Sequence, residues 1–156
     1  MKVRTVSYKS QNSSYEFTRS LHQTGFSVLT NHPIDIKLIE SVYNEWKTFF
    51  NNQKKYNYIY DSIKQDGYFP LGTENAKGAS VSDIKEFYHF YTWGKVPARL
   101  SNNTKALFNQ LVTLTSTLLS WIQEQTPNNV KSLFSMPLPE MIIDCKTHLL
   151  KSFGHL

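Results

Sequence analysis

The chain reads as an α+β fold, rich in helix and with a few short strands. Three observations lead there. Apolar residues recur at helical spacing through two long stretches, 36–50 and 103–125. Short apolar runs bounded by Gly, Pro or Asn, such as 26–30, have the form of strands. Between the long stretches lies 65–78, continued by 83–91, which mixes turn-formers, aromatics and charges. The part 65–78 fits neither an amphipathic helix nor an alternating strand, and such segments are usually ordered loops that frame a site.

Size and composition set the outer limits. A length of 156 residues predicts a single domain. With 40% hydrophobic residues and 10 Phe, 9 Tyr and 3 Trp, the chain can fill a core and is too aromatic to be disordered. One cysteine, Cys145, rules out an internal disulfide and fits a reducing compartment. No apolar run reaches the ~18 residues that span a bilayer, and the N-terminus has no signal-peptide apolar region. A soluble cytoplasmic protein is expected, with no membrane partner. The net charge of +5 comes from 17 basic and 12 acidic residues. They are scattered, with Lys54-Lys55 the only adjacent basic pair, so a nucleic-acid partner is not expected.

Taken in order, residues 3–8 suggest a short strand. Ser13 followed by Glu16 has the capping-box form and predicts a helix to about Thr24, which Gly25 ends by accepting a left-handed turn. Residues 26–30 then predict a short buried strand, stopped at Asn31-His32-Pro33. Asp35 is suited to cap the helix whose apolar face carries Ile36, Ile39, Val42, Tyr43, Trp46, Phe49 and Phe50. Asn51-Asn52 ends it, and 53–60 allows a further short helix. Residues 85–91 predict a strand covered on both faces, because Phe87, His89 and Tyr91 alternate with Tyr88 and Phe90.

The longest helix, 103–125, carries one stripe of Leu107, Leu111, Leu114, Leu118 and Trp121 and a second of Phe108, Val112, Leu119 and Ile122. A stripe that broad predicts cover on more than one side. Thr126-Pro127 predicts a new helix to about Phe134, with the proline at its first position. Pro137 and Pro139 break the chain, and 141–150 is a last apolar segment, helix or strand.

Most catalytic patterns are missing. A non-haem Fe(II) site needs two His and one carboxylate on one face. None of His22, His32, His89, His148 or His155 opens a His-x-Asp/Glu pair. There is no CxxC, HExxH, G-x-S-x-G or phosphate-binding glycine loop. Asp66, Glu74, Asp83 and Glu86 supply carboxylates near one loop, where solvation or ion pairing is their ordinary role.

The order of segments carries more. Thr24-Gly25-Phe26-Ser27-Val28-Leu29-Thr30-Asn31-His32-Pro33-Ile34 resembles the "GF-hydrophobic-NHGI" signature of the isopenicillin N synthase-like 2-oxoglutarate/Fe(II) oxygenases. Leu38-Ile39, Glu45-Trp46, Phe49-Phe50, Lys54/Lys55 and Tyr56 are similar to the helix that follows it in that family. Residues 65–70, Glu74, Lys77-Gly78 and 83–88 are similar to its "GY…E…KG…D-K-E-F/Y" region, and Trp93-Gly94 and the long helix match in position. The resemblance runs from about residue 14 to 150, with His32-Pro33 in place of the usual His-Gly.

The resemblance implies the N-terminal domain of such an oxygenase, the helix-and-strand portion that flanks a double-stranded β-helix core. That core supplies the His-x-Asp…His iron ligands and an Arg-x-Ser for 2-oxoglutarate, and no such motif is encoded here. Fe(II) and 2-oxoglutarate are therefore implied only for a full-length family member, and the chain is expected to be inactive alone. It looks like a fragment, a prematurely ended gene product or a stand-alone domain. Tyr68, Lys77, Lys85 and Tyr88 are the expected wall of a substrate pocket.

Without the core, the face of Leu107, Leu111, Leu114, Leu118 and Trp121 loses cover on the order of 8–15 kcal/mol. Dimerisation or a protein partner on that face is expected. A scaffold role is the alternative reading. A metal site assembled on dimerisation from residues such as His89 and His155 is the third.

Overall fold

Periodicity decides the long elements. The computed structural model describes residues 2–75, 78, 80–98, 100, 102–141 and, as backbone, 151–155. Strand β1 spans Arg4–Ser7, α1 Ser13–Thr24, β2 Ser27–Thr30 and α2 Ile36–Phe50; a 3-10 helix follows at Gln53–Tyr58. Then come β3 (Gly67–Phe69), β4 (Glu86–Phe90), α3 (Asn103–Gln125), α4 (Asn128–Lys131) and β5 (Lys151–His155). This is the expected α+β arrangement of helices with a few short strands. Residues 142–150, which hold Cys145, His148 and nearly all of the last apolar segment, lie outside the described residues.

The chain divides into two units. The first takes residues 1–35 and 107–147. In it β1 and β2 run parallel, with Val6 beside Leu29. Helix α1 packs on both strands, and Val6, Phe17, Leu107, Phe108 and Val112 are buried. Trp121 meets Phe17 edge-on at 5.8 Å and Tyr8 at 5.2 Å. Ser20 is fully buried: its Oγ accepts from the Arg4 N–H at 3.0 Å and donates to the Phe26 carbonyl at 2.6 Å, bridging the two strands at their start. On α3, Leu107 is buried, while Leu111, Leu114, Leu118 and Trp121 are half-buried.

Three local expectations for this unit are corrected. Ser13 and Glu16 do not form a capping box: Asn12 holds the N-cap without a side-chain bond. The Glu16 carboxylate goes instead to Arg4 at 2.5 Å, because β1 lies within reach and offers a guanidinium. The run 26–30 is not buried: Phe26 and Val28 are 69% and 50% exposed, because α1 covers only one face of the two strands. Pro127 is the N-cap of α4 rather than its first helical residue, its ψ of 145° being extended. The Thr126 hydroxyl turns back to donate to the Ile122 carbonyl at 2.7 Å, and α4 ends at Lys131, short of Phe134. Gly25 does close α1 left-handed, at φ 77°, with its N–H on the Leu21 carbonyl.

The second unit takes residues 36–106 and 148–156. Its sheet is antiparallel, ordered β3-β4-β5, with Tyr68 beside Tyr88 and Phe87 beside Gly154. Val42, Trp46 and Phe50 line the inner face of α2, and the Trp46 indole N–H donates to the buried Thr104 hydroxyl at 3.1 Å. Residues 67–69 were expected within a loop and are instead a buried strand. Three residues are too few to show an alternation, so its neighbours decide its form. Gly67 makes the pairing possible. It sits at φ +113°, and a Cβ there would lie 2.6 Å from the Tyr58 carbonyl oxygen.

Gly67→Ala should destabilise the chain by at least about 2 kcal/mol. Gly25→Ala, with open space around its Cβ, should cost only about 1 kcal/mol. Urea denaturation of the two variants checks the ranking, and equal losses would refute the close-approach argument.

Candidate functional site

The β3–β4 hairpin gathers the chemistry of the second unit. Its two faces are both aromatic. On one, Phe69 stacks between Tyr60 at 4.1 Å and Phe87 at 4.5 Å, with His89 at 4.4 Å. On the other, Tyr88 meets Trp46 at 5.0 Å and Phe49 at 5.4 Å, and Tyr68 meets Phe49 and Phe50, each at 6.2 Å. Period-two side-chain placement puts Glu86 on this second face as well.

A carboxylate in such surroundings must be paired. Glu86 Oε2 accepts from Lys55 Nζ at 2.6 Å and from the Tyr68 hydroxyl. The two ionic side chains are 13% and 12% exposed. Asp66 is 2% exposed, and its Oδ2 accepts the Lys95 N–H at 2.8 Å. A Cβ on Gly94 would lie 3.0 Å from that oxygen, so Asp66 holds the turn after β4 at close range. Tyr88 completes the tie by donating to the Lys95 carbonyl at 2.6 Å.

Of the expected pocket residues, Tyr68 and Tyr88 are brought together, at 1% and 0% exposure, as neighbours across the hairpin. Lys85 stands apart on the excursion between β3 and β4, where Glu74 at 3.0 Å and Asp83 at 3.4 Å pair with it. The hydrogen bond to Glu74 raises its pKa. Lys77 lies outside the described residues. Sequence reasoning missed the partnership of Lys55, Glu86 and Tyr68; its only trace was a lysine and a glutamate inside aromatic runs. Separately, a cavity of about 480 Å³ opens beside Phe49 and Tyr58, with Asn44, Lys54 and Pro97 on its walls.

No group of three His, Cys, Asp or Glu side chains able to hold a metal occurs among the described residues. His22 lies on α1, His32 follows β2, and His89 on β4 has its Nδ1 against the Gln65 carbonyl at 2.9 Å. These three histidines do not make up a non-haem iron site. Nor is any described helix long and apolar enough to cross a membrane.

The second unit is thus a helix-braced aromatic hairpin with the Glu86 carboxylate tied to Lys55 and Tyr68. Residues 7–111 match the family described as "non-haem dioxygenase in morphine synthesis N-terminal". The match takes in more than half of the chain, and the chain belongs to this family of dioxygenase N-terminal domains. Solved structures agree. A putative oxygenase from Shewanella oneidensis superposes with a TM-score of 0.80 at 44% identity, over 90% of this chain and 49% of that one. A putative 2OG-Fe(II) oxygenase family protein from Caulobacter crescentus does so with a TM-score of 0.66 at 25% identity, over 78% of this chain and 48% of that one. The chain thus spans about half the length of either structure. Comparison with curated proteins gave no match.

Lys55→Met should cost about 3–5 kcal/mol, because Glu86 would be left in the core without its cationic partner. Tyr68→Phe should cost about 1–3 kcal/mol. Lys55→Met combined with Glu86→Leu should recover much of the loss; no recovery would mean that Glu86 is not the group being satisfied. Chemical denaturation reads all three.

Titration gives a second check. Burial lowers the His89 pKa from its ordinary 6.5. Below that value the unfolded chain takes up a proton that the folded chain resists. Stability is therefore complete above pH 6.5 and falls as pH drops through the folded value. Burial raises the pKa of Tyr68 and Tyr88 from their ordinary 10.0, with the Glu86 hydrogen bond next for Tyr68 and the Asp66 charge next for Tyr88. Their contribution is complete below pH 10.0 and is lost as pH rises beyond it. Denaturation midpoints across pH should fall on both flanks, and His89→Gln should flatten the acid one.

Proposed function

We propose that the chain serves as the N-terminal portion of an isopenicillin N synthase-like, cytoplasmic 2-oxoglutarate/Fe(II) oxygenase. In it the chain braces the catalytic core and forms one wall of the substrate pocket, without catalysing the reaction alone. The observation that carries this reading is the extent of the likeness. Nine-tenths of the chain aligns at 44% identity with a putative oxygenase, yet accounts for only 49% of that protein. In this reading Tyr68, Lys77, Lys85 and Tyr88 belong to that wall. Iron and 2-oxoglutarate belong to the other half of such a protein.

A second reading draws on α3. Leu111, Leu114, Leu118 and Trp121 are only half-buried, and with Leu107 they form the stripe that a scaffold protein would bury on a partner or on its own copy.

Anaerobic calorimetry with Fe(II), followed by a succinate assay, tests the first reading. No saturable iron binding and no succinate are expected from the chain alone. One tightly held iron per chain, with succinate formed from 2-oxoglutarate, would overturn it.

A further inference from the structure

We draw no further inference here: the strongest candidate, the cavity of about 480 Å³ between α2, the 3-10 helix and residues 97–100, carries none, because its walls bring amide, acidic, basic and apolar side chains together without selecting one class of ligand and nothing in the structure shows what fills it.

Discussion

Burying the Glu86 carboxylate is the constraint on which the second unit depends. A charge in a nest of aromatic rings is tolerated only with partners in hydrogen-bond contact. Here the partners come from two elements, Lys55 on the 3-10 helix and Tyr68 on β3. One side chain thereby fixes three segments. The backbone follows the same tie. The Tyr60 N–H reaches the Tyr68 carbonyl at 3.0 Å and the Asp61 N–H reaches the Asp66 carbonyl at 2.9 Å. The 3-10 segment thus lies so close to β3 that only glycine fits at position 67. The need for glycine at 67 and the burial of Glu86 are two results of one close approach.

What the sequence reveals and what it hides follow from this. Helices α2 and α3 were legible to the residue, because fifteen and twenty-three residues repeat their period several times. Gly25 and β4 were legible for local reasons: a left-handed turn requires glycine, and five consecutive aromatic or charged residues alternate across a sheet. Strand β3 was not, since three residues carry no period. Nor were the partners of Glu86, because Lys55 lies 31 positions away and nothing in spacing or composition couples them. The false capping box shows the same limit from the other side. Ser13 and Glu16 have the right local form, and a guanidinium from another element takes the carboxylate. The tertiary ion pair takes the carboxylate in place of the local bond.

The residues that carry the family resemblance acquire a physical meaning in the structure. Glu45-Trp46, Phe49-Phe50, Lys55, Tyr68 and 86–88 are scattered through the motifs. In the fold, Trp46, Phe49, Phe50, Lys55, Tyr68, Glu86 and Tyr88 meet in one aromatic core around one ion pair. Their order along the chain therefore records a scaffold. It is a signal about folding, and it explains how a chain can be assigned to an oxygenase family while its described side chains offer iron no set of three ligands.

The two sheets differ in how far their faces are covered. In the second unit β4 has a neighbour on each side, and both faces of the hairpin are packed with rings. In the first unit β1 and β2 have one neighbour each, and half-exposed Val28 and largely exposed Phe26 lie where a further layer would sit. Unpaired strand edges and uncovered apolar side chains are sources of association free energy wherever they occur. In the β1–β2 sheet the uncovered apolar side chains are those of Phe26 and Val28.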